Sequence, residues 1–142
     1  MIKFFKPSEE AAIIAAIRAA ERNTTGEIRV HLEDELKGNA LEEAVRTFRR
    51  LKMHATERHN GVIIFLAPNQ KKFAIYGDEG INNVVPEGFW DDVRDLLGKH
   101  FRTGAFTDGV VAAIHRIGEK LKVYFPGIHD DINELPDDIS YA

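Results

Sequence analysis

Residues 61–81 read GVIIFLAPNQKKFAIYGDEGI, and the order of their parts decides the fold. Gly61 to Ala67 is continuously apolar, the pattern of a central strand covered on both faces. Pro68-Asn69-Gln70 then turns the chain into a second run, Lys72 to Tyr76. A connection that short permits no crossover, so the two strands are antiparallel neighbours. The second of them ends in Asp78 and Glu79, set between Gly77 and Gly80, and the use of those two carboxylates is the functional question the sequence raises.

Upstream of this hairpin, Glu27 to Glu33 alternates: Ile28, Val30 and Leu32 point one way, Arg29, His31 and Glu33 the other. That spacing predicts a half-buried strand near a sheet edge. Between it and Gly61, Asn39 and Glu42 form a capping-box-like start to a helix whose apolar face is Leu41, Ala44, Val45, Phe48, Leu51 and Ala55. A helical connection between consecutive strands implies a right-handed parallel crossover. Three further helices are predicted. The first follows Ser8 and carries Ile13, Ile17 and Ala20. Another is opened by Pro86 and carries Phe89, Trp90, Val93, Leu96, Leu97 and Phe101. The last is capped by Thr107 and Asp108 and buries Val110, Ile114, Ile117 and Leu121. The expected fold is therefore α/β, with helices on a small mixed sheet made of a parallel crossover and an antiparallel hairpin. Residues 1–126 form the domain, and 127–142 form an acidic C-terminal tail without periodicity.

At 142 residues and 44% apolar content the chain suits one domain with one core. A net charge of −4 argues against a dedicated nucleic-acid binder. Cysteine is absent, which removes disulfides, thiolate nucleophiles and thiolate zinc sites. The opening MIKFFKPSEE is too short in apolar residues for an export signal, and no run is long enough to insert in a membrane, so a cytoplasmic location is expected. Two serines, Ser8 and Ser140, leave no serine triad in view. Arg58-His59-Asn60-Gly61 superficially resembles the Arg-His-Gly of histidine phosphatases, but it precedes its strand and the later arginine is missing. His54, His100, His115 and His129 read as solvated or partly packed, and the Arg46, Arg49, Arg50 and Lys52 face as a solvated helix surface.

The topology gathers Thr25 to Glu27, Thr56 to Asn60, and Asp78 with Glu79 at one sheet edge. Carboxylates brought together repel unless neutralised, and without thiolates the natural partner is a hard cation held by oxygens, Ca²⁺ or Mg²⁺. Glycines on either side would let the backbone turn tightly and lend carbonyls. The plain alternative is a solvated turn with Arg58 as its salt-bridge partner.

Three stretches resemble one family: TTGEIRVHLE (24–33), RHNGVIIFLAPNQKKFAIYGDEGI (58–81) and FRTGAFTDGVVAAI (101–114) are similar to the TPM domain. That module occurs in a thylakoid-lumen acid phosphatase, a photosystem II repair protein and a modulator of acetylcholine receptors. The resemblance implies a three-layer α/β/α sandwich and a divalent-metal site, often calcium. It also implies a weak phosphatase activity in some members. Glu27, Asp78 and Glu79 match the family's acidic strand-edge positions and are the expected metal ligands, with Arg58 as a possible anion holder. Two readings follow. The favoured one is a non-catalytic module whose cation stiffens the edge loops and presents them to a protein partner. The alternative is a weak metal-dependent acid phosphatase, for which the sequence offers no convincing general acid.

Overall fold

The computed structural model describes residues 4–127 and 139–142. Besides short 3-10 turns at Met53–Ala55 and Pro68–Gln70, five α-helices and four β-strands appear among them. In chain order they are α1 (Pro7–Glu21), β1 (Glu27–Leu32), α2 (Ala40–Arg50), β2 (Gly61–Ala67), β3 (Lys72–Gly77), α3 (Glu79–Asn82), α4 (Asp91–Arg102), α5 (Phe106–Tyr124) and β4 (Ile139–Tyr141). The sheet order is β3-β2-β1-β4. β1 runs parallel to β2, with Glu27 opposite Gly61 and Leu32 opposite Leu66. β2 and β3 are antiparallel, Val62 opposite Gly77. The expected parallel crossover and hairpin are both present, in a three-layer α/β/α sandwich.

Alternation along the strands divides the core in two. One face of the sheet sends Ile28, Val30, Val62 and Ile64 against α1, α4 and α5, where Ile17, Leu97, Ile114 and Ile117 are fully enclosed. The other sends Ile63, Phe65 and Ala74 against Ala44 and Phe48 of α2 and against Met53. Every residue of β2 is buried, as a strand covered on both faces requires. The expected cap of α2 is present, the Asn39 side chain accepting from the Glu42 N–H at 3.0 Å.

Several expectations need correction. Pro86 does not open a helix. Gly88, at φ +76°, takes a left-handed conformation that interrupts helical continuation, and α4 starts at Asp91. Asp78 and Glu79 do not end in a turn but begin the four-residue α3, with Asp78 as its N-cap. Pro7, not Ser8, sets the start of α1. Thr107 lies inside α5 and donates to Glu9 Oε2 of α1 at 2.7 Å instead of capping. The last residues, read as part of an acidic tail, supply β4, which lies parallel to β1 with Val30 opposite Ile139 and Leu32 opposite Tyr141. β1 is consequently internal, not near an edge. His129 lies outside the described residues.

Candidate functional site

Strand register brings the predicted edge together. The Glu27 N–H donates to the Asn60 carbonyl at 3.4 Å, and the Asp78 N–H donates to the Gly61 carbonyl at 3.0 Å. The loop before β2 is thus held by β1 on one side and by the end of β3 on the other. Asn60, 2% exposed, ties it further by donating from Nδ2 to Thr25 Oγ1 at 3.1 Å.

The three proposed ligands fare differently. Glu27 is 2% exposed and Asp78 5% exposed, whereas Glu79 points to solvent. Asp78 Oδ1 accepts from the Glu79 N–H at 2.8 Å, the cap of α3. Its Oδ2 is buried and has no hydrogen-bond partner among the described residues. His59 lies beside it, its Nδ1 3.6 Å away, beyond a hydrogen bond. Arg58 is exposed, and the salt bridge that the plain alternative gave it with the acidic pair is not formed among the described residues. Thr56, 2% exposed with Oγ1 also lacking a hydrogen-bond partner among the described residues, belongs to the loop that the topology places at this edge, though its burial was not expected. The Tyr76 phenol is held above its ordinary pKa by burial and then by the Asp78 charge, so it stays protonated.

The glycines act by packing and not by turning, since neither Gly77 nor Gly80 has a positive φ. A Cβ on Gly77 would lie 3.1 Å from the Trp90 ring. A Cβ on Gly80 would lie 2.3 Å from the Arg58 carbonyl oxygen and 2.5 Å from that of His59. Gly80 therefore lets α3 press against the loop carbonyls, while the Gly77 carbonyl is taken by Asn82 Nδ2 at 3.0 Å.

Among the described residues no three His, Cys, Asp or Glu side chains converge closely enough to hold an ion together. A site built only of the three named carboxylates is not assembled here. Of the three, Asp78 and Glu27 are the carboxylates withdrawn from water, and carboxylate oxygen is the ligand type that hard cations take.

The structure also relocates a histidine. His31, expected on a polar strand face, is wholly buried and stacks on Phe65 with ring centroids 5.5 Å apart. Its Nδ1 meets Ser140 Oγ at 2.7 Å and its Nε2 meets Glu33 Oε1 at 3.0 Å, so the row Ser140–His31–Glu33 pins β4 to β1. Burial pushes the imidazole below its ordinary pKa, against the pull of Glu33 and with Arg50 and Arg29 adding to the shift.

These features define the class: a three-layer α/β/α domain with a mixed sheet and an oxygen-lined loop cluster where β1 and β2 begin. Within that class the chain belongs to the TPM domain family, whose sequence profile matches residues 2–120. Its fold is similar to the NMR structure of the BA42 protein from the psychrophilic Bizionia argentinensis, with 46% identity and a TM-score of 0.92. That match covers 100% of this chain and 98% of BA42. The N-terminal domain of a P. gingivalis protein, at 17% identity, gives a TM-score of 0.72 over 90% of this chain and 83% of that one. The N-terminal domain of cg2496 from Corynebacterium glutamicum, at 13% identity, gives 0.68 over 94% and 84%. The last two likenesses concern the fold alone. Comparison with curated proteins yields no match. Among the described residues no helix is long and apolar enough to cross a membrane.

Proposed function

We propose that the domain is a non-catalytic module that takes one hard divalent cation, Ca²⁺ before Mg²⁺, at the start of β2, and offers the stiffened loops to a protein partner. The observation that carries this reading is Asp78 Oδ2, a carboxylate oxygen withdrawn from water without a hydrogen-bond partner among the described residues. Leaving such an oxygen unsatisfied costs about 1–3 kcal/mol or more, which a cation would offset. Glu27 is the second carboxylate, and Glu79 reaches the site only from its solvent side. Ca²⁺ is preferred because it accepts irregular sets of six to eight oxygens, whereas Mg²⁺ demands near-octahedral geometry.

The test is thermal unfolding with calcium and with chelator. Calcium should raise the melting temperature of the wild type and leave Asp78→Asn, which keeps the α3 cap, almost unmoved. Equal curves for the wild type under both conditions would defeat the reading. One feature favours the phosphatase alternative: half-exposed His59 stands beside Asp78, an imidazole of the residue type that most often serves as a general acid. Chelator-sensitive, saturable hydrolysis of an aryl phosphate, lost in His59→Ala, would replace the module by the enzyme.

A further inference from the structure

At the opposite end of the sheet, past the carboxyl end of β2, lies a cavity of about 390 Å³ lined by Pro68, Lys71, Phe73, Gly98, Phe101, Arg102 and Phe106. This volume falls in the range of small-molecule sites. It also lies where open α/β sheets commonly bind ligands, outside the carboxyl ends of parallel strands. Its wall is a row of phenyl rings set edge to face, Phe73 to Phe101 at 5.4 Å and Phe101 to Phe106 at 5.0 Å between centroids.

Gly98 explains why the space is open. It sits within α4, where glycine is a poor helix former and its backbone needs no left-handed conformation. A Cβ there would point toward the cavity, 3.8 Å from the Phe73 ring and 3.3 Å from Arg102 Nη1. Any larger side chain would occupy the space that the rings enclose. The rim adds charge of one sign. Lys71 and Arg102 are exposed, and neither has a carboxylate partner among the described residues, in a chain whose net charge is −4. Lys71 is the left-handed residue that closes the turn between β2 and β3.

We infer that this cavity binds a small amphipathic anion, an apolar chain or ring ending in a carboxylate. The body of the ligand lies on Phe73, Phe101 and Phe106 over Gly98, and its carboxylate stands between Lys71 and Arg102. Apolar burial supplies affinity, and the two cations select the head group. This site is separate from the edge around Asp78 and stands or falls without it.

The experiment is a titration of the isotope-labelled domain with octanoate, octanol and octylamine, followed by amide NMR. Saturable shifts should centre on Phe73, Gly98, Phe101 and Phe106. Octanoate should bind roughly tenfold tighter than octanol, and octylamine more weakly than either. Gly98→Leu should fill the cavity and remove all three responses. Because that variant could disturb α4, a second one, Lys71→Asn with Arg102→Gln, changes only exposed positions. It should keep octanol binding and bring octanoate down to the same affinity. Equal affinities of octanoate and octanol in the wild type would overturn the inference, as would shifts mapping elsewhere or persisting unchanged in Gly98→Leu.

Discussion

The two ends of the sheet are built from opposite materials. Where β1 and β2 begin, polar groups are withdrawn from water: the Glu27, Thr56 and Asp78 side chains are buried, and the carbonyls of Arg58 and His59 press over Gly80. Past the end of β2, phenyl rings enclose a space and the charges on its rim are cationic. Each end uses a glycine, but for contrary reasons. Gly80 makes room for backbone that is already there, whereas Gly98 faces only side-chain ends, Arg102 Nη1 and the rim of the Phe73 ring. A close approach and a vacancy look alike as letters in a sequence and differ completely in what a methyl group would do.

That contrast is the first thing to try to break. Gly80→Ala drives a methyl into two carbonyl oxygens of fixed backbone, and should cost roughly 3 kcal/mol in urea unfolding, with α3 displaced. A loss below about 1 kcal/mol would mean the loop yields easily and the crowding there has no consequence. Next in size is the ligand-linked effect at the same end. At a calcium concentration about a hundred times its Kd the wild type should gain roughly 2.7 kcal/mol, nearly all of it absent in Asp78→Asn. Calorimetry with and without chelator reads both values.

Gly98→Ala should reverse the sign. The methyl meets only the mobile end of Arg102 and ordinary contact with Phe73, and the helix gains propensity, so stability should rise by up to about 1 kcal/mol. A loss of stability would show that the cavity wall is strained and not merely open. The smallest effect concerns His31 in the middle of the molecule. Its folded pKa lies below the unfolded value of about 6.5, so its contribution is complete above that pH. It is lost progressively as acid protonates the unfolded chain before the folded one. Stability measured from pH 7 to 5 should fall in the wild type more steeply than in His31→Gln. Parallel slopes would assign the acid sensitivity to other groups.

The features that were legible in the sequence rest on long patterns. β2 is an uninterrupted apolar run, the connection Pro68-Asn69-Gln70 is too short for anything but a hairpin, and Asn39 caps its helix through a local interaction. From these followed the gathering of Glu27, Asn60 and Asp78 at one edge. Short elements did not declare themselves. α3 is a single turn, with no period to read, and β4 is three residues whose strand character comes from β1 alone. The missing β4 also misplaced His31, since an edge strand with a polar face and an internal strand with a buried histidine share the same alternation. Phe73, Phe101 and Phe106 look like core residues and are partly that. Their cavity is created by an absent side chain, which spacing and residue type do not reveal.

The position of β4 also dictates an order of assembly. His31 and Ser140, which bond to each other, are 109 residues apart in sequence. Joining them first would mean closing a loop of that whole length, about 2 kcal/mol costlier in chain entropy than a loop ten times shorter. Once α5 has packed against α1, only the fourteen residues between Tyr124, the end of α5, and Ile139, the start of β4, separate the two in sequence. β4 should therefore dock last in refolding, onto a sheet whose β1 edge has until then stood open. Pulse-labelled hydrogen exchange should show the Ile64 amide protected before that of Ala142, which donates to the Leu32 carbonyl. During that interval the bare edge of β1 can accept a strand from a neighbouring chain as readily as its own, so the yield on refolding should depend on protein concentration even though the finished fold hides that edge.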